Sequence, residues 1–145
     1  MERTSTAVWH GNGLEGKGAL TTQSGAFADQ PYGFAARFQS ADGKAGTNPE
    51  ELLAAAHAGC FAMALAFRLT AAGHPAEELR TDAKVYMLKT EGGWMLPAVH
   101  LTVVGKVPGI DAAQFAALAA DAKANCPISK ALAALSISLT ATLAS

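Results

Sequence analysis

The hydrophobic pattern of this chain switches between a strand-like period and a helical one. Over the first 45 residues, short apolar runs are broken by glycine-rich turns. The pattern predicts strands at Thr4–His10 and Lys17–Thr22, joined through Gly11-Asn12-Gly13, a hairpin signal. It predicts a third strand at Phe34–Gln39, carrying Arg37. A helix is predicted over residues 49–72. Asn48 is its N-cap, Pro49 takes the first helical position and Glu51 falls three residues after the cap. Gly73 ends it, with Pro75 just beyond. Leu79–Lys89 then alternates imperfectly and turns through Glu91-Gly92-Gly93 into Trp94–Val107, where Pro97 marks a bulge or an edge. Asp111 opens an alanine-rich helix to about Asn125, Pro127 starts a short third helix with Cys126 at its N-cap, and Ile137–Leu143 reads as a last strand. Without an internal repeat, low-complexity stretch or linker, residues 1–145 read as one α+β domain.

The central helix is apolar nearly all round, through Leu52, Leu53, Ala56, Phe61, Met63, Ala64, Leu65 and Phe67. Such a helix must be covered on every side, and one small sheet covers only one side. The remainder implies a partner subunit, most simply in an isologous dimer. The apolar run Leu52–Phe67 is 16 residues long, contains His57 and is bordered by Glu50, Glu51 and Arg68. A membrane span needs about 20 apolar residues, so a buried core helix is expected instead.

Composition narrows the possibilities. The net charge is -1, from 11 basic and 12 acidic residues without clustering, which argues against nucleic acid or an anionic membrane as the main partner. A chain of this length buries about two-thirds of its unfolded surface and needs neither disulfide nor metal to fold. The opening Met1-Glu2-Arg3-Thr4-Ser5 has no signal-peptide character. Two distant cysteines without an export signal point to a reducing cytoplasm, where a cysteine pair is more often catalytic than structural.

Those cysteines carry the candidate chemistry. Cys60 lies deep in the central helix and Cys126 is 66 positions later. A lone cysteine on an apolar helix is usually inert packing. Cys126, directly before Pro127-Ile128-Ser129, would place its sulfur at a helix N-terminus, where the dipole favours thiolate. The two are either buried bystanders or halves of a redox couple. A reactive thiolate needs a positive neighbour, and the chain has four arginines. Arg3 is terminal. Arg68 follows Cys60 by eight residues, roughly 12 Å along the helix and about 80° around it. Arg80 starts a strand near the far end of that helix. Arg37 remains, either as an exposed edge-strand residue or as a buried cation needing a carboxylate.

Glu50 and Glu51 fit as first-turn carboxylates, and either could also anchor Arg37. Glu50 precedes Cys60 by ten residues, roughly 15 Å of helix, so one guanidinium could hardly bridge both within one chain. If both meet Arg37, antiparallel central helices would bring Glu50 from the other subunit. His10, His57, His74 and His100 show no metal-ligand spacing with the cysteines. His57, three residues before Cys60, reads as a core histidine bonded to backbone or as half of a cysteine–histidine dyad.

Gln30-Pro31-Tyr32-Gly33-Phe34, Arg37-Phe38, Gly46-Thr47-Asn48-Pro49-Glu50-Glu51-Leu52 and Ala55-Ala56-His57-Ala58-Gly59-Cys60-Phe61 together resemble the osmotically inducible protein C (OsmC) family, related to the organic hydroperoxide resistance proteins. Val107-Pro108-Gly109-Ile110-Asp111 and Asn125-Cys126-Pro127-Ile128-Ser129 extend the resemblance over essentially the whole chain. It implies antiparallel sheets packed on a long buried central helix, in an intertwined homodimer. It also implies a cysteine-dependent peroxidase without metal or other cofactor, with Cys60 peroxidatic, Cys126 resolving, Arg37 activating Cys60 and Glu50 holding Arg37. The organic-hydroperoxide branch has its arginine in an early glycine-rich loop; Gly11 to Gly18 contains none, which favours the OsmC branch proper. An apolar pocket around Phe34, Phe38 and Met63 would favour organic hydroperoxides over hydrogen peroxide. The reductant would be a dithiol, for which the family suggests dihydrolipoyl groups. Two alternatives stand beside this reading: a cysteine–histidine thiol enzyme not acting on peroxides, and a non-catalytic ligand-binding stress protein.

Overall fold

The computed structural model describes residues 1–144, which divide into two compact units, Met1–Leu52 and the chain from Leu53 onward.

The first unit is built on an antiparallel sheet of β1 (Ser5–His10), β2 (Lys17–Thr22) and β3 (Gln30–Gly33), in that order. The β1–β2 connection is longer than a tight hairpin. Its residue Asn12 accepts the backbone N–H groups of Leu14 and Glu15 on its side-chain oxygen, at 3.0 and 2.8 Å, a local turn that competes with strand pairing. On β2, a Cβ at Gly18 would collide with the Tyr32 and Trp9 rings, so only glycine lets those aromatics close over the sheet. Their centroids lie 5.5 Å apart.

The expected strand at Phe34–Gln39 is instead a helix, α1 (Phe34–Phe38), and the strand lies just before it. The apolar context Phe34-Ala35-Ala36-Arg37-Phe38 reads as a strand in the sequence. The spacing that decides is four: Phe34 and Phe38 fall on one helical face, with ring centroids 4.9 Å apart. The two alanines between them favour helix as well.

Helix α2 (Pro49–Ala71) begins in the first unit and continues through the second. Its start is capped as expected, since the Asn48 side chain accepts the Glu51 N–H at 2.9 Å. It ends in a Schellman turn: Gly73 has φ +84°, the Gly73 N–H reaches Thr70 O and the His74 N–H reaches Leu69 O.

In the second unit, β4 (Glu78–Thr90) and β5 (Gly93–Lys106) form a long antiparallel hairpin. Its register slips between Tyr86 and Leu88, opposite Pro97, so the proline sits at a bulge in the central strand. Helices α3 (Ala112–Asn125) and α4 (Pro127–Ala131) then carry the chain to β6 (Ser136–Leu143). β6 pairs with β5 in parallel, so this sheet is mixed and not wholly antiparallel. The reason is the route: a helical crossover returns the strand in the same direction, whereas a short turn would reverse it.

The core of this unit packs Phe61, Leu65 and Leu69 of α2 against Leu101 and Val103 of β5 and Phe115, Ala119 and Ala122 of α3. Gly105 admits Phe115, whose ring would stand 2.6 Å from a Cβ there. The buried residues of α2 are His57, Phe61, Leu65 and Leu69, a stripe at spacing four. Met63 and Phe67, on other faces, are 64% and 71% exposed. The long helix is therefore covered on one side by its own chain, as its all-round apolar pattern led us to expect, and apolar side chains on its other faces stay exposed. By length and composition alone α2 could cross a membrane.

Candidate active site

The first unit presents Arg37 from α1. Its Nη2 and Nε donate to Glu50 Oε1 and Oε2 at 2.6 and 3.1 Å, a two-pronged pair with the carboxylate of the first turn of α2. Glu50 thus meets Arg37 within one chain. The short helix makes this possible by placing Arg37 on a turn directly before the segment that leads to Asn48. The guanidinium also lies 5.0 Å from the centre of the Phe38 ring. A cleft of about 120 Å³ beside it is lined by Trp9, Tyr32, Phe34, Arg37, Phe38 and Pro49, among others. Phe34 and Phe38 therefore line an apolar recess around a cation. Met63, expected with them, belongs to the second unit, where it is exposed.

The second unit brings the cysteines together. Both are free thiols, and Cys126 Sγ donates to Cys60 Sγ at 2.9 Å. Cys126 is fully buried and Cys60 partly so. Packing sets their positions. Phe61 and Leu65 anchor α2 in the core, while Ala122 and Cys126 anchor the α3–α4 junction.

Burial pushes the Cys60 thiol above its ordinary pKa, and the bond and charge of Cys126 push the same way; the Ile128 backbone N–H opposes them. Sequence reasoning placed the Cys126 sulfur at the helix N-terminus. Cys126 is indeed the N-cap residue of α4, but its side chain makes no capping bond and turns to Cys60 instead. The backbone N–H at the start of that turn serves the Cys60 sulfur.

His57 is fully buried, and its Nε2 lies 2.8 Å from Ser129 Oγ on α4. Burial lowers its pKa, which keeps the ring neutral near pH 7. Its partner is a side chain, not the expected backbone group, and Nε2 is engaged by Ser129. Sequence reading passed over Ser129 as a contact of this site. A signal was present in the mirrored spacing: His57 stands three before Cys60, and Ser129 three after Cys126. Among the described residues, no group of three or more histidine, cysteine or acidic side chains could hold a metal ion.

Residues 41–141 match the family model described as OsmC-like protein. The chain is 42% identical over 134 residues to "Peroxiredoxin OsmC" of Escherichia coli (strain K12), covering 92% of each chain. Among solved structures it resembles the organic hydroperoxide resistance protein OsmC from Legionella pneumophila, with 26% identity, TM-score 0.74 and 96% of each chain covered. It also resembles the organic hydroperoxide resistance protein OhrB of Bacillus subtilis, with 27% identity and TM-score 0.70, over 97% of this chain and 98% of that one.

Proposed function

Since this chain belongs to the OsmC family, we propose that it reduces organic hydroperoxides, and hydrogen peroxide less well, through a Cys60 sulfenic acid and an intramolecular Cys60–Cys126 disulfide. That it is a peroxidase follows from its identity to the peroxiredoxin relative over nearly its whole length. The observation that carries the finer mechanism is the pair of free thiols 2.9 Å apart, one buried and one partly accessible.

The cycle runs in three steps. Cys60 thiolate attacks one peroxide oxygen; the O–O bond breaks, the departing alkoxide takes a proton to leave as alcohol, and Cys60 becomes a sulfenic acid. The Cys126 sulfur then attacks the Cys60 sulfur, forming the disulfide and releasing water. A dithiol restores both thiols by exchange and leaves as its own disulfide. A small dithiol such as a dihydrolipoyl group suits this step, and a reducing cytoplasm would supply it during oxidative or osmotic stress.

Activation of Cys60 is read as an act of two chains. Within one chain burial holds the thiol protonated, while Arg37 is committed to Glu50, which the helical rise sets about 15 Å along α2 from Cys60. An intertwined homodimer would bring the Arg37–Glu50 pair of one protomer to the Cys60 of the other. The exposed Met63 and Phe67 on α2 support such a pairing, because they leave apolar helix surface for a second copy to cover. The aromatic recess beside Arg37 would then receive the alkyl or aryl group of the hydroperoxide.

Steady-state turnover of cumene hydroperoxide and of hydrogen peroxide, with dihydrolipoamide as reductant, tests this reading. Faster consumption of cumene hydroperoxide is expected. Equal or reversed preference contradicts the substrate assignment, and no turnover of either contradicts the peroxidase mechanism.

A further inference from the structure

Two hydrogen-bonded rungs join α2 to the turn that carries Cys126. One is Cys60 to Cys126 at 2.9 Å, and the other is His57 to Ser129 at 2.8 Å. The residues are three apart on each side and run in opposite order, so the rungs are neighbours one helical turn apart. We propose that the His57–Ser129 bond is a positioning device for disulfide formation, holding the Cys126 turn against α2 while Cys60 is oxidised. The inference rests on the Cys60–Cys126 disulfide mechanism above and assigns it two further residues.

Oxidation changes one rung of the ladder and spares the other. When Cys60 becomes a sulfenic acid, its sulfur gains an oxygen and the thiol–thiol contact in its present form is lost. The His57–Ser129 rung involves neither sulfur and persists. The turn needs such a tie: α4 is five residues long, its internal backbone bonds, such as Lys130 N–H to Cys126 O at 3.1 Å, hold the turn together without fixing it to α2, and its backbone bond to α2, from the Ile128 N–H, ends on the same Cys60 sulfur that reacts. Ile128 packs against the core, but apolar contact is non-directional and leaves the register of a short turn loosely set. A hydrogen bond between two buried side chains sets it.

The chemistry of position 57 points the same way. His57 is fully buried and its Nδ1 has no partner among the described residues, an unfavourable placement for a polar ring in a core that an aliphatic side chain could fill. The contact that this imidazole makes and an aliphatic group cannot is the one to Ser129. Ser129 is itself only 6% exposed, so the pair is shielded from competing water.

Ser129→Ala removes the rung and Ser129→Thr keeps a hydroxyl in place. Wild type and both variants would receive one equivalent of cumene hydroperoxide, be quenched with an alkylating agent at successive times, and be resolved by mass spectrometry into Cys60 thiol, sulfenic acid, sulfinic acid and disulfide. Cys60 oxidation should proceed at one rate in all three, while Ser129→Ala closes the disulfide about tenfold more slowly, the scale expected when a reacting group loses its positioning. With excess peroxide, the alanine variant should accumulate sulfinic acid and the threonine variant should not.

Disulfide closure at the wild-type rate in Ser129→Ala overturns the proposal. So does equal slowing of both steps, which is the signature of general structural damage, and so does failure of threonine to rescue. If Ser129→Ala does not fold, His57→Phe combined with Ser129→Ala removes both polar partners together and is read by the same criteria. Failure of the parent mechanism looks different: wild type then shows no Cys60–Cys126 disulfide at any time.

Discussion

Replacing Arg37 with methionine asks how Cys60 becomes a thiolate. Within its own chain the Cys60 thiol is pushed up by burial first and by Cys126 second, against the Ile128 N–H. Without a cation, only a small fraction ionises near pH 7. An opposite charge at contact distance changes such a population by roughly ten- to a thousandfold. Arg37→Met should slow Cys60 oxidation by that factor at neutral pH. Raising the pH ionises the thiol without help, so the gap between wild type and variant should narrow steadily toward alkaline pH.

Stability should change far less. Arg37 is 36% exposed and Glu50 13%, so solvent screens the pair, and its loss should cost about 1 kcal/mol or less. For a chain of this length that corresponds to a Tm decrease of about 2–4 °C. The assay is the rate of sulfenic acid formation with cumene hydroperoxide across a pH series, beside a thermal melt. A full rate at neutral pH, or a deficit constant across all pH, would refute Arg37 as the source of the thiolate. Arg37→Lys should rescue weakly, since an ammonium cannot hold Glu50 with two parallel bonds and face a sulfur as well.

Three further outcomes follow from the same geometry. Cys60→Ser should abolish peroxide consumption, whereas Cys126→Ser should complete about one turnover and then overoxidise, as seen by counting alcohol released per chain; equal residual activity in the two would undo the division of roles. If the proposed homodimer shares its sites, mixing Cys60→Ser with Glu50→Ala subunits should partly restore activity, because the mixed pair would hold one site intact and one lacking both groups; no recovery after verified exchange removes support for a site shared between chains. His57 binds a proton less readily folded than unfolded, so the stability tied to its neutral form is complete above the ordinary value of 6.5 and declines as pH falls below it. Melts between neutral and acidic pH should show wild type losing at most about 1.4 kcal/mol per pH unit more than His57→Gln, and parallel curves would place the sensitivity elsewhere.

Much of this arrangement was legible in the chain. Local capping chemistry marked α2 at both ends, where Asn48 and Gly73 act as their residue types predict. Pro97 announced the bulge in β5, since a residue without an N–H cannot complete the ladder. Less legible was whatever tertiary contact decides. Phe34 to Phe38 has the apolar composition of a short strand, yet its rings pack at the helical spacing of four. The parallel placement of β6 depends on the path of two helices, which no local period records. Arg37 and Glu50 could be paired in principle, but only the turn of α1 shows that one chain joins them. Ser129 stayed hidden because its mirrored spacing from Cys126 becomes a signal only once Cys60 and Cys126 are known to meet.

The account stands or falls on the two sulfurs 2.9 Å apart. Non-reducing mass spectrometry of the intact protein after one equivalent of cumene hydroperoxide addresses them directly. Loss of two hydrogen atoms per chain is expected, with peptide mapping locating an intramolecular Cys60–Cys126 disulfide and a dithiol reversing it. An unchanged mass with both thiols still open to alkylation, or a Cys60 sulfenic acid that persists beside a free Cys126, would contradict it.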